Sequence, residues 1–198
     1  MIKIGINGFG RIGRLVLRAL LENYKDKIQV VAINDLGSIE ANAHLVKYDS
    51  THGTLPYEVE TSKSGFKILN QDIKVFVERD PANLPWGKVG VDVVLECTGL
   101  FLDKTSAEKH IKAGAKKVII SAPAKEVDFT VVQGVNSSEL KKEHNVISNG
   151  SCTTNCLAPV AMVLEKNFGI EYGYMTTIHS YTGDQKLLDT LHKDLRRA

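Results

Sequence analysis

Apolar and polar positions along this chain change period repeatedly, alternating two by two over short runs and then recurring every three or four residues, the pattern of strands interleaved with helices. Ile2-Lys3-Ile4-Gly5-Ile6-Asn7 reads as a strand, followed by helical spacing from Arg11 to about Tyr24. Gln29-Val30-Val31-Ala32-Ile33-Asn34 is a second strand, and Ser38 to Val46 a short helix. Lys67 to Val77 predicts two short strands around Asn70-Gln71-Asp72, which like the Ser38 helix are expected to be peripheral elaborations. Val91 to Gly99 is a buried parallel strand leaving into a glycine turn, with a helix from Thr105 to Ala113 behind it. Lys116 to Pro123 repeats that pattern, and Thr130 to Gly134 and Asn145 to Ser148 add two more strands. Leu157, Val160, Ala161, Leu164 and Phe168 mark a helix that stops at Gly169, and Ile170 to Tyr181 predicts one long strand.

Between the first strand and first helix stands Gly8-Phe9-Gly10-Arg11-Ile12-Gly13, a G-x-G-x-x-G in the context that gives this motif meaning. Gly8 allows the tight turn, Gly10 lets backbone approach a pyrophosphate, and Gly13 lets helix pack on strand. The second strand ends at Asp35, 22 positions after Gly13, where a carboxylate accepts hydrogen bonds from ribose hydroxyls and repels a 2′-phosphate. The expected cofactor is therefore NAD rather than NADP. Together these features predict an α/β fold, a Rossmann-type doubly wound parallel sheet with its cofactor at the carboxyl ends of the strands, where Thr98, Gly99 and Ser121 also fall.

Ser148-Asn149-Gly150-Ser151-Cys152-Thr153-Thr154-Asn155-Cys156 places a thiol where a strand gives way to a helix. Unpaired N–H groups and the positive end of the helix dipole favour the thiolate there, the reactive form of cysteine. Ser151, Thr153 and Thr154 add hydroxyl donors that suit a phosphate or an oxyanion. His179, 27 positions on, supplies an imidazole that can stabilise the thiolate and take a proton. Cys156, one turn after Cys152, is read as structural, and no metal site is expected.

Composition narrows the picture further. The chain has 198 residues, a net charge of +2 and 24% charged residues, with no apolar run long enough to span a bilayer. Met1-Ile2-Lys3 leads straight into a core strand, so no signal peptide is expected. Three cysteines in no framework pattern favour a reducing compartment, and a cytoplasmic location is expected. The near-neutral balance makes nucleic acid an unexpected primary partner.

The Gly8 to Gly13 motif, Asn34-Asp35, Glu96-Cys97-Thr98-Gly99, Ser121-Ala122-Pro123-Ala124, Ser148 to Pro159 and His179-Ser180-Tyr181-Thr182 resemble phosphorylating glyceraldehyde-3-phosphate dehydrogenase of bacterial type, along the whole chain. The resemblance implies Cys152 as nucleophile and His179 as its activating base. It implies that Arg11, Ile12, Asp35, Arg79 and Ser121 contact NAD, and that Ser151, Thr153, Thr182 and Arg197 hold the substrate phosphate or inorganic phosphate. The implied activity is oxidative phosphorylation of glyceraldehyde 3-phosphate to 1,3-bisphosphoglycerate, with homotetramers as the family's assembly. Erythrose-4-phosphate dehydrogenase, sharing the same Cys and His, and a non-catalytic NAD-binding form are the alternatives. Two departures stand out. Gly150 occupies a position where the family usually has Ala, expected to loosen the turn before Cys152; and the sequence stops at Arg196-Arg197-Ala198, where family members continue. The expected organisation is an NAD-binding domain over residues 1–150 and the start of an incomplete α+β catalytic domain over 151–198. The chain is expected to be an amino-terminal fragment that exposes apolar surface.

Overall fold

The fold is that of a computed structural model and is described for residues 1–183. Strand β1 (Ile2–Asn7) leads through the glycine motif into helix α1 (Arg11–Asn23), then β2 (Ile28–Asn34) and α2 (Ile39–Lys47). Two small strands, β3 (Tyr48–Asp49) and β4 (Gly53–Thr54), form a hairpin of their own. They are followed by β5 (Val59–Ser62), β6 (Gly65–Ile68), β7 (Gln71–Phe76), the short helix α3 (Trp86–Val89), β8 (Val93–Glu96), α4 (Lys104–Lys112), β9 (Lys117–Ile120), β10 (Phe129–Thr130), β11 (Val146–Ser148) and α5 (Cys152–Phe168).

The main sheet has nine strands in the order β10-β11-β9-β8-β1-β2-β7-β6-β5. From β10 across to β7 every pairing is parallel, and only the β7–β6 and β6–β5 pairings, at one edge, are antiparallel. Both faces are covered, as a parallel sheet requires. Ile4, Ile6, Leu17, Leu21, Val30, Ile33 and Val46 form one core, and Ala32, Trp86, Val91 and Val94 another. A third gathers Ala107, Val118, Ile120 and Val146 around α4. The chain reverses its direction of winding at β1, which lies between β2 and β8, and this opens a crevice at the carboxyl ends of those strands.

Several expectations need correction. The segment Lys67 to Val77 is not peripheral, because β7 pairs in parallel with β2 and extends the main sheet, and α2 buries Ala43 and Val46 in the principal core. Thr130 to Gly134 is not a full strand: pairing stops at Thr130, Gly134 takes a φ of +78°, and Asn136 turns back so that its Oδ1 accepts from the Val132 amide. Ile170 to Tyr181 forms no strand, and His179 therefore lies in irregular chain. A strand exists only by pairing, and no described strand lies beside this segment. Its apolar side chains stay in solvent, Tyr174 at 98% and Ile178 at 102% of full exposure, in accord with the expected apolar surface.

Chain contacts separate two compact units, Met1–Val163 and Leu164–Ala198. The first contains the whole sheet. In the second, the described residues finish α5 and run on through irregular chain to residue 183.

The far edge of the sheet is fastened by Asp128. Its carboxylate accepts from the amides of Asn145 (2.8 Å) and Val146 (2.9 Å) and from Lys104 Nζ (2.6 Å). Partial burial raises its pKa, but the Lys104 hydrogen bond and the two amides outweigh that and bring it down to about 2. A carboxyl depressed in the fold stabilises it above the unfolded pKa and loses that contribution as pH falls toward the folded value. Between about pH 4 and pH 2 the fold should therefore lose on the order of 1–2 kcal/mol from this site. Urea titrations across that window should show a flatter pH dependence for Asp128→Asn.

Candidate functional site

The crevice at the β1/β8 switch point is an open cleft of about 390 Å³ whose lining includes Gly8, Gly10, Asp35, Arg79, Thr98 and Phe101. Its shape follows from the glycines. Gly8 has a φ of +87°, and a Cβ there would lie 2.7 Å from the Thr98 amide nitrogen, so β1 and β8 leave the sheet in close contact. A Cβ on Gly13 would fall 2.3 Å from the Gly8 carbonyl oxygen, so α1 packs directly on the turn that feeds it. Around Gly10, by contrast, no atom lies within 4 Å of where a Cβ would be. Gly10 also stands at the N-cap of α1 without any side-chain cap, and the first turn holds no acidic residue. That leaves helix N–H groups facing open space, a seat for a pyrophosphate.

Asp35 sits half-buried at the end of β2. Its Oδ2 accepts from the Phe9 amide at 2.9 Å and its Oδ1 from the Gly37 amide at 2.9 Å, which ties the carboxylate to the glycine turn while leaving it on the cleft wall. Arg11 is exposed and is held by Asp49 of the β3–β4 hairpin at 3.1 Å, while Ile12 is half-exposed at 51%. Thr98 and the exposed Gly99 follow β8. Ser121 is half-buried just past β9, and its amide donates to the Glu96 carbonyl at 3.0 Å. Asn34 is buried, with its side chain bonded to Asn7 and to the Glu78 backbone.

Cys152 is the first residue of α5 and is exposed. The turn before it is pinned in detail. Asn149 N donates to the Ile120 carbonyl at 2.9 Å, Gly150 N to Ser148 Oγ at 3.0 Å, and Ser148 Oγ to the Ala122 carbonyl at 2.8 Å. Ser151 Oγ accepts from the Thr154 amide at 2.9 Å, capping the helix three residues on, and Thr153 is half-buried beside it. Asn155 Nδ2 reaches back to the carbonyls of Asn149 (2.6 Å) and Ser151 (2.9 Å). A thiol set this way at a helix start has the dipole and nearby N–H groups that favour its reactive form. Cys97 is the contrast: burial pushes its thiol up to about 11 despite a hydrogen bond with Ser121.

Gly150 does not loosen this turn. Its φ is +67°, a left-handed conformation that glycine adopts without strain, and a Cβ would meet Thr154 at an ordinary 3.4 Å. Gly150→Ala should therefore cost about 1 kcal/mol through backbone strain alone, seen as a drop of roughly 2–4 °C in thermal midpoint.

His179 and Thr182 are exposed and lie in the Leu164–Ala198 unit. Arg197 lies outside the described residues. Sequence reasoning left out Asn7, Leu36, Glu78, Leu100 and Phe101, which also line the cleft. It could have found Asn7, because the three central strands all end their apolar runs in a polar residue: Asn34, Asn7 and Glu96.

Comparison with known proteins agrees with this geometry. A family model described as the glyceraldehyde 3-phosphate dehydrogenase NAD binding domain matches residues 2–104, more than half of the chain. The chain belongs to the glyceraldehyde 3-phosphate dehydrogenase family. Residues 151–198 match the model for the same family's C-terminal domain. The chain is 57% identical over 197 residues to a glyceraldehyde-3-phosphate dehydrogenase of Xanthobacter flavus, and 58% identical over 198 residues to one of Geobacillus stearothermophilus. Both alignments cover 100% of this chain, but 59% and 58% of those relatives, so the chain spans a little under three fifths of their length. It thus carries the family's NAD-binding domain and the beginning of its C-terminal domain. Among the described residues no helix is long and apolar enough to cross a membrane, and no cluster of His, Cys, Asp and Glu is suited to hold a metal ion.

Proposed function

We propose that this chain contributes the cofactor cleft and the nucleophile of a phosphorylating glyceraldehyde-3-phosphate dehydrogenase that works as a cytoplasmic homotetramer. The observation that carries the reading is the placement of Cys152 as the first residue of α5, capped by Ser151, in a fold whose β1/β8 crevice is shaped for a dinucleotide. The domain boundary falls at residues 150/151, just before that cap.

NAD supplies the hydride acceptor. Gly10, Arg11 and Ile12 would hold its pyrophosphate end, on the turn that Gly8 and Gly13 shape, and Asn34, Asp35 and Arg79 would hold its adenosine end. Thr98, Gly99 and Ser121, just past the ends of β8 and β9, would contact NAD as well. The Cys152 thiolate adds to the aldehyde carbon of glyceraldehyde 3-phosphate, with His179 orienting the carbonyl oxygen and then taking the hydroxyl proton of the adduct. Oxidation leaves a thioester on Cys152, which inorganic phosphate opens to 1,3-bisphosphoglycerate. Two anion subsites are needed for this, and Ser151, Thr153, Thr182 and Arg197 are assigned to them, with the α5 N-terminus favouring negative charge.

The test is NADH formation from glyceraldehyde 3-phosphate, NAD and phosphate, by the chain alone and by the chain extended with the remaining length of the Geobacillus stearothermophilus relative. The extended chain should turn over, Cys152→Ser should reduce its rate by at least about 1,000-fold, and erythrose 4-phosphate should be the poorer substrate. Equal rates with and without the Cys152 thiol would contradict the assignment.

A further inference from the structure

Beneath the cleft lies a group of buried polar side chains centred on Glu96 and His110, two residues to which the proposed reaction gives no task. Glu96 is 1% exposed and His110 0%, and Asn7, Asn34 and Trp86 are buried around them. Asn34, Asn7 and Glu96 are aligned as neighbours across β2, β1 and β8, so one row of the sheet carries all three.

The direction of each hydrogen bond in this group is determined. At one end the Glu78 amide, which can only donate, gives to Asn34 Oδ1 at 2.9 Å, so the Asn34 amide nitrogen donates to Asn7 Oδ1 at 2.7 Å and to the Glu78 carbonyl at 2.8 Å. Asn7 Nδ2 must then be the donor to Glu96 Oε2, at 2.6 Å. At the other end the Trp86 indole, which also can only donate, gives to His110 Nδ1 at 2.9 Å. That leaves the proton of a neutral imidazole on Nε2, aimed at the same Glu96 Oε2 at 3.0 Å. Glu96 Oε1 accepts from the Thr98 amide at 2.7 Å and from the Thr98 hydroxyl. Donors therefore converge on Glu96 from both sides, and none of its four partners needs it to give a proton. Both carboxyl oxygens of Glu96 are thus used as acceptors.

Three pieces of the cleft wall end on this chain: Asn7 at the end of β1, Glu78 after β7, and Thr98 after β8. We propose that Glu96 is a positioning residue for the dinucleotide, its carboxylate acting through Asn7 and Thr98 to hold the cleft walls in register, with His110 fixed by Trp86 as its buried donor. Glu96 does not line the cleft, so its effect on the cofactor is indirect. This rests on the reading of the cleft as the NAD site.

The experiment is calorimetric titration of the 198-residue chain with NAD, alongside thermal melts, for wild type, Glu96→Gln, His110→Phe and His110→Gln. Glu96→Gln keeps size but, whichever way it turns, sets its amide donor against donors, those of Asn7 and His110 or the Thr98 amide, and His110→Phe removes the donor outright. Gln at 110 can still donate to Glu96 and accept from Trp86. Expected are about tenfold or greater losses of NAD affinity in Glu96→Gln and His110→Phe, measured where each is folded, and a value within about threefold of wild type for His110→Gln. Folded Glu96→Gln and His110→Phe chains that bind NAD within about twofold of wild type would overturn the proposal. If Glu96→Gln does not fold, the two His110 variants decide alone, equal affinities overturning it. A wild-type chain that binds no NAD would instead sink the reading of the cleft, which separates the two failures.

Discussion

Gly13→Ala is expected to destabilise the chain by about 2–3 kcal/mol and lower its thermal midpoint by roughly 5–10 °C, even though alanine is the better helix former by about 1 kcal/mol. The reason is distance. A Cβ at position 13 would stand 2.3 Å from the backbone oxygen of Gly8 and 3.1 Å from Ile6 Cγ2, and backbone cannot swing aside as a flexible side chain does. To relieve the contact α1 must lift from β1, and its N-terminus moves away from the seat described for the pyrophosphate. NAD affinity should then fall by at least about tenfold. Gly10→Ala supplies the contrast, since its Cβ meets nothing within 4 Å. It should melt within about 0.5 kcal/mol of wild type yet bind NAD more weakly, because the added methyl occupies space reserved for the ligand. A Gly13→Ala chain as stable as wild type, in a chemical denaturation series, would show that the helix is not packed as described.

The second large effect concerns the cysteines. Cys152 should react with iodoacetamide at pH 7.5 several hundredfold faster than Cys97. The thiol of Cys97 is pushed up to about 11 by burial, so only about 0.03% is thiolate at that pH, against about 10% for a thiol at the ordinary value near 8.5. The helix start at Cys152 and its exposure widen the ratio further. Peptide mass spectrometry after timed labelling gives both rates in one experiment. Comparable labelling of the two would contradict the distinction between a poised and an inert thiol.

Features set by local periodicity and short motifs were legible in the sequence. The β1–Gly8–α1–β2–Asp35 unit reads directly, because apolar alternation, the three glycines and the following acidic residue all lie within the first 35 positions. The strand-to-helix change at Cys152 was legible for the same reason. What was not legible depends on distant partners. Gln71 to Phe76 looks like any short strand until β2 is beside it, and Ile170 to Tyr181 has strand-like composition but gains no ladder among the described residues. Gly150 looked like a loosened turn, yet its value depends on a φ that the residue name does not state. The Glu96 group is the extreme case. Asn7 and Glu96 are 89 positions apart, and Trp86 and His110 come from different helices, so only the folded sheet brings these four and Asn34 into one group of hydrogen bonds converging on Glu96.

We propose that the β1/β8 crevice is an NAD site whose preference is set by Asp35. It is tested most directly by titrating the wild-type chain with NAD and with NADP under the same conditions, and repeating both with Asp35→Ala. Expected are saturable binding of NAD, weaker binding of NADP by on the order of 100-fold, and a preference that collapses when the carboxylate is removed. Equal affinity for the two dinucleotides in the wild-type chain, or a preference untouched by Asp35→Ala, would contradict it.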